Sequence, residues 1–526
     1  MKSVEILDCT LRDGGYINEW RFGEANIRRI CRKLSESNVD IIELGFLQDG
    51  CTDREASLFD TIEQTEGYAP TDCKPKLVTM ISLGKFDINR LRPSDSVSGI
   101  RLIFRKNELD EAVKASKIIK SLGYDLYFQP VNTPKFTDYE LLRFIEATND
   151  ISPCAFYIVD TFGAMYASDL TRIFSIVDHN LDSDIKVGYH AHNNLQLAFS
   201  NAISFLNTVT NRSIMLDSSV FGMGRGAGNL PTELITKYIN DNIGSRYNTT
   251  PLFEIYDEIL GNIYEEKAWG YNIPYALSAQ FGCHPNYASA LLEKQAVSVK
   301  QIGEILRQVD YSKTTTYDKK YIEQLYINCK KNQIDDSDAI NKLREICEGR
   351  EVLLLAPGGS LKSDEQIIAD YSAENDCLTI SVNFVPESIR VDAMFISNAK
   401  RFENFENMKN VPNCPQTIIC TSNLEARDEM LAVNYADYLN EDYAVADNAG
   451  LMCINLLIRV GCSRITLAGF DGFCIDKTSS YYSPGMRINI DSGHAAAMNR
   501  AITEQLKSFG NVIPLKFLTK SMYEKE

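Results

Sequence analysis

The chain has 526 residues, 44% of them hydrophobic and 24% charged, and a formal charge of -17. That length exceeds one hydrophobic core and predicts two to three domains of about 100 to 200 residues each. The acidic balance, with no dense Lys/Arg tract to offset it, argues against nucleic acid and anionic membranes as partners and leaves small molecules.

Fourteen cysteines run from Cys9 to Cys474 without a C-x-x-C pair or a regular framework. This predicts reduced thiols in the cytoplasm rather than zinc ribbons or a disulfide scaffold. No signal peptide and no apolar run of about 18 residues is read, so no membrane partner is expected.

Through the first 245 residues short apolar segments alternate with amphipathic helical patterns, the sign of parallel strands joined by helical crossovers. Strands are predicted at Val4–Leu7, Asp40–Phe46, Lys76–Ser82, Gly99–Phe104, Tyr124–Pro130, Ala155–Asp160, Ile185–His192 and Ser213–Val220. Helices are predicted at Glu24–Ser37, Glu108–Leu122, Thr137–Thr148 and Ser168–Leu181. Eight such units match the size of a (β/α)8 barrel of roughly 250 residues. From residue 246 to 349 the strand signal gives way to Tyr-rich helical patterns, a helical extension. From 350 to 526 the β/α alternation restarts with EVLLLAPGGSL, LTISVNF, VDAMFIS, QTIICTS and RITLAGFDGF, predicting a smaller Rossmann-like α/β domain.

Barrel active sites lie at the carboxyl ends of the strands. The first strand runs into Asp8-Cys9-Thr10-Leu11-Arg12-Asp13-Gly14-Gly15, and the seventh ends in His190-Ala191-His192. Side chains two apart share a strand face, and closure makes the first, seventh and eighth strands neighbours. Asp13, His190 and His192 therefore form a candidate two-His-one-carboxylate metal site with open positions for water or substrate. Such ligands suit Mn2+, the expected ion, and also Mg2+, Co2+ or Zn2+. After the eighth strand, GMGRGAGNLPTE reads as a tight loop whose glycines allow a ligand close to the backbone, with Pro231 opening a helix.

D-x-T-L-R-D-G, IELGF, VDTFGAM, HAHNN and GxGxGAGNxPTE occur in this order. Together they resemble the DRE-TIM metallolyase family, which includes 4-hydroxy-2-oxovalerate aldolase, hydroxymethylglutaryl-CoA lyase and the isopropylmalate and homocitrate synthases. The resemblance covers about residues 1 to 300. It implies that Asp13, His190 and His192 hold the metal, with Asn229 a further ligand or loop anchor. It implies too that Arg12 stabilises an enolate oxygen, that Glu43 braces the site and that Asp160 sits near the substrate. A metal and an arginine facing a 2-oxo acid would stabilise the charge that develops as the adjacent carbon–carbon bond breaks or forms.

The expectation is an aldolase that handles pyruvate and an aldehyde, closest to the oxovalerate aldolase branch and open to a homo-oligomeric state. Its alternatives are a Claisen-type acyl transferase using acetyl-CoA and a catalytically weakened barrel that scaffolds the C-terminal domain. One departure stands out. Where that branch has a histidine base three residues after the motif aspartate, this chain has Tyr16, which either replaces the base or only lines the pocket. Tyr287, in HPNYASALLE, is a second candidate.

In the C-terminal domain, Gly358, Gly359 and Ser360 close a strand and open a helix, a geometry that presents N–H groups to phosphate. With Asn398 and Asp471 they are candidate nucleotide-binding residues. The domain's pattern resembles sialyltransferase-like and hydroxymethylpterin diphosphokinase-like Rossmann domains, which would imply nucleotide-sugar chemistry.

Overall fold

The computed structural model describes residues 3–70, 73–294, 297–330, 333–404, 413–427, 429–442, 444–473, 481–483 and 492–524. The chain divides into two compact units. One comprises residues 1–289 with 310–317, the other 290–309 with 318–526. No helix of the described residues is long and apolar enough to cross a membrane.

In the first unit the apolar runs form parallel strands β1 (Val4–Asp8), β2 (Ile41–Leu47), β4 (Lys76–Ser82), β5 (Gly99–Phe104), β6 (Asp125–Pro130), β7 (Ala155–Asp160), β8 (Lys186–Ala191) and β9 (Ile214–Ser218). A two-residue strand, β3 (Leu58–Phe59), lies beside β2. Pairing of β1 with both β9 and β2 closes the eight staves into the expected barrel. The strands are apolar on both faces because both are covered. Leu7, Cys9, Val78, Tyr127, Tyr157 and Met215 fill the interior. Their alternates, such as Ile6, Leu77, Leu126, Phe156 and Leu216, pack outward beneath the helices.

The helices fall where the amphipathic patterns place them, at Glu24–Glu36, Leu109–Ser121, Asp138–Ile151 and Ala167–Asn180. Thr137 starts the third of these by accepting the Glu140 N–H while the Glu140 carboxylate accepts from the Thr137 N–H. The extension follows as short helices, among them Thr250–Ile255 and Ile273–Gln280. It reaches back to the glycine loop after β9, where the Trp269 indole N–H donates to Phe221 O at 3.0 Å.

The second unit is a seven-stranded, wholly parallel sheet with helices between its strands, consistent with a Rossmann-like fold. Its strands are β10 (Glu351–Leu355), β11 (Leu378–Val382), β12 (Ala393–Ile396), β13 (Thr417–Thr421), β14 (Leu431–Val433), β15 (Arg464–Ala468) and β16 (Leu515–Phe517). Their order is β14-β13-β12-β11-β10-β15-β16, so the winding reverses between β10 and β15. Five of the seven are the predicted ones. The two unpredicted strands, β14 and β16, are three residues each and lie at the sheet edges, too short for an alternation to register.

Candidate metal centre at the barrel mouth

Asp13 stands five residues past the end of β1, His190 within β8 and His192 just beyond it. One ligand atom from each lies within 4.8 Å of the others, and all three residues are buried. A position two residues apart on one strand aims both imidazoles into the mouth, as the spacing predicts.

The second ring nitrogen of His190 is held. Its Nδ1 lies 2.9 Å from Asp217 Oδ2, which sets Nδ1–H as donor and leaves Nε2 free for an ion. His192 Nδ1 is buried without a hydrogen-bond partner, as is Asn229 Oδ1. Burial lowers the His192 pKa to about 3, so its imidazole is neutral at physiological pH, the form that ligates metal. Burial alone would raise Asp13, but the Arg12 guanidinium and the two histidines hold its carboxyl well below the usual range. Two orphaned buried acceptors beside an ionised carboxylate fit a cation.

Asn229 joins the group through the glycine loop. Its Nδ2 donates to Asp13 Oδ2 at 2.7 Å and to Met223 O at 3.1 Å, which turns Oδ1 to the open side. Gly224 makes this approach feasible, since a Cβ there would sit 2.2 Å from Asn229 Nδ2 and 2.8 Å from Asp13 Oδ2.

A buried ion network stands behind the candidate ligands. The Arg12 guanidinium donates through Nε to Glu43 Oε2 at 2.8 Å and through Nη1 to Asp13. Arg101 donates to the same Glu43 oxygen at 2.7 Å and, through its other terminal nitrogen, to Asp217. The Arg101 guanidinium lies over the Tyr157 ring, 4.9 Å from its centre. Glu43 thus accepts from both arginines, whereas Arg101 and Asp217 are not among the residues singled out from the sequence. Their signal was a charge interrupting the apolar runs GIRLIF and IMLDS, at positions whose immediate neighbours Ile100, Leu102 and Leu216 face outward.

The remaining candidates sit as follows. Asp160 accepts the Ala164 and Met165 N–H groups with its two oxygens, holding the turn after β7, and burial pushes its carboxyl up to about 6. Tyr16 is 37% exposed, desolvation at the mouth holds its phenol above the ordinary value, and the Arg225 guanidinium lies 5.3 Å from its ring centre. Tyr287 is fully buried, its hydroxyl 2.8 Å from Thr316 O and 3.1 Å from Lys313 O, where it ties two segments together.

Residues 3–259 match the HMGL-like family model. The barrel belongs to the HMGL-like, DRE-TIM metallolyase superfamily. Among curated relatives, a 4-hydroxy-2-oxovalerate aldolase of Geobacillus genomosp. 3 is 26% identical over 45% of this chain and 71% of its own length. Its counterpart from Thermomicrobium roseum is 28% identical over 45% of this chain and 67% of its own. An oxaloacetate decarboxylase of Mycobacterium tuberculosis is 24% identical over 57% of this chain and 87% of its own. Among solved structures, an N-terminal domain from Bacteroides vulgatus covers 55% of this chain and 96% of itself, with 26% identity and a TM-score of 0.46. The family match ends at residue 259, and the second sheet is read by itself.

In that sheet, Gly358, Gly359 and Ser360 follow β10 and Asp471 follows β15, at the point where the winding reverses. The Ser360 N–H donates to Asp471 Oδ2 at 2.8 Å, and the Ser360 hydroxyl is shared between Asp471 and Thr519. A carboxylate of the chain therefore occupies the place where this N–H would meet a phosphate. Gly358 serves that closeness, as a Cβ there would meet Gly469 O at 2.3 Å. Asn398 caps the helix Ala399–Glu403 by accepting the Arg401 N–H at 3.1 Å.

Proposed function

We propose that the barrel is a divalent-metal-dependent carbon–carbon lyase that releases pyruvate from a 2-oxo acid through its enolate. The observation that carries this reading is the convergence of Asp13, His190 and His192 beside Arg12, all four buried at the carboxyl ends of the staves. Asp13, His190 and His192 would hold the ion, with Asn229 Oδ1 turned toward the same space, and the ion would supply Lewis-acid polarisation of the carbonyl. Arg12, pinned by Glu43 and Asp13, keeps a full positive charge at the site without reorganising, which favours an oxygen gaining negative charge. The Glu43–Arg101–Asp217 chain locks Arg12 and His190 into one arrangement, so the site is preorganised.

The aldehyde released with pyruvate is proposed to be small, in keeping with the 4-hydroxy-2-oxovalerate aldolases that the barrel is similar to. Mn2+ is the proposed ion and the cytoplasm the proposed compartment. Free thiols at all thirteen described cysteines support the latter. One observation favours a second reading, decarboxylation of oxaloacetate. A phenol held above its ordinary value is poorly suited to take a hydroxyl proton, and loss of carbon dioxide requires no such step.

The test pairs metal analysis with product analysis by NMR. Mn2+-loaded protein is expected to form pyruvate from 4-hydroxy-2-oxovalerate, and Asp13→Ala to bind no metal and form none. Pyruvate from oxaloacetate alone would select the second reading. Full metal occupancy in Asp13→Ala would overturn the ligand assignment.

A further inference from the structure

The extension brings a third imidazole to the barrel mouth. His284 follows the helix Ile273–Gln280 and precedes Pro285, which packs against the glycine loop: a Cβ on Gly226 would lie 3.4 Å from Pro285 Cβ. Its ring centre is 6.1 Å from that of Phe162, in the loop after β7, so it stands between the loops that follow β7 and β9. Arg225 Nη1 lies 3.4 Å from His284 Nε2, and the same guanidinium reaches over the Tyr16 ring. One cation thus spans the mouth from the residue that replaces the expected base to this imidazole.

Both ring nitrogens of His284 face donors, the Asn286 N–H at 3.2 Å from Nδ1 and Arg225 at Nε2. A neutral imidazole carries one N–H and satisfies only one of the two, and an imidazolium satisfies neither. Burial, with Arg225 and His192 nearby, accordingly holds its pKa well below the ordinary value. Arg225 has no carboxylate within ion-pair distance among the described residues, and its Nε is buried without a partner. The pair is built for an anion that draws the guanidinium away and leaves Nε2 as a free base.

We propose that His284 is the catalytic residue that moves the proton at C3 of pyruvate, with Arg225 receiving the substrate's carboxylate. This rests on the lyase reading above, and it holds for either substrate there. In the exchange direction, Nε2 takes a proton from C3, the C–H electron pair becomes the enolate, and the imidazolium returns a solvent-derived proton to the same carbon. In the cleavage direction, Nε2 first takes a proton, that of the C4 hydroxyl as the aldehyde forms or one from solvent as carbon dioxide leaves, and the imidazolium delivers it to the C3 that the broken carbon–carbon bond leaves behind.

Deuterium exchange into the methyl group of pyruvate, followed by NMR with Mn2+-loaded protein, reads this step directly. His284→Gln is expected to slow exchange by about 100-fold or more while bound metal stays at the wild-type level. Exchange in the wild type that survives undiminished in His284→Gln would overturn the assignment and leave the lyase reading intact. No exchange in the wild type would overturn both.

A second measurement needs neither variant nor metal. 3-Bromopyruvate, whose C3 is electrophilic, should alkylate His284 with loss of bromide, and pyruvate should protect it, as mapped by peptide mass spectrometry. Labelling of the half-buried Cys51 with none on His284 would refute the placement of this imidazole at C3.

Discussion

Arg101→Met removes the central cation of the site's ion network and keeps most of the side chain's length. In the native barrel Arg101 is wholly buried and pairs with both Glu43 and Asp217, neither of which meets water. Each carboxylate keeps one partner, Arg12 for Glu43 and His190 for Asp217, so neither is stranded entirely. Removing one member of a buried ion pair costs about 3 to 5 kcal/mol, because the remaining charge is left without compensation. We expect a loss in that range at pH 7, read as a lowered urea midpoint for the barrel transition.

The pH dependence has a definite sign. Burial would raise Asp217, but Arg101, followed by His190, holds it below its ordinary value. A depressed carboxyl contributes stability above its unfolded pKa of about 3.9, and that contribution is lost as pH falls through the folded value. The variant lacks this contribution, so the gap between wild type and Arg101→Met should narrow below about pH 4. A loss under about 1 kcal/mol at pH 7, or a gap that widens on acidification, would refute the argument that Arg101 neutralises buried carboxylates.

Two further substitutions act on the proposed ligands from outside. Asp217→Asn weakens the hold on His190 Nδ1–H and should reduce metal affinity about 10- to 100-fold by calorimetric titration; an unchanged affinity would mean that Asp217 serves only Arg101. Gly224→Ala places a methyl group into Asn229 and Asp13 and should lower metal affinity about tenfold or more without changing the circular dichroism spectrum; wild-type affinity would show that the loop yields freely.

The eight staves, five strands of the second sheet and the candidate metal triad were legible because their signals are local. A stave buried on both faces reads as an unbroken apolar run, and HAHNN at a strand end places two imidazoles on one face by backbone geometry alone. Arg101 and Asp217 obeyed the same period-two rule, yet each alone in its strand resembles noise; their meaning comes from pairing across a closed barrel. His284 is different in kind. Nothing around Cys283-His284-Pro285 indicates that the extension folds back onto the mouth, since that docking is made by Trp269 on Phe221 and Pro285 on the glycine loop. Tyr287, three residues on, drew attention instead and proves to be satisfied by two carbonyls.

Charge balance ties these groups to the chemistry. Arg12 and Arg101 contribute +2 and Asp13, Glu43 and Asp217 contribute -3, so the connected network carries -1, with every member at most 3% exposed. An unbalanced buried charge is costly, and the His192 imidazole, neutral through burial, does not offset it. A divalent ion at Asp13, His190 and His192 would turn -1 into +1, and the carboxylate of a 2-oxo acid would bring the site to zero. Arg225, which has no carboxylate within ion-pair distance among the described residues and is proposed to receive the substrate's, adds one more positive charge, so the enolate charge that forms on cleavage beside Arg12 is met by that excess.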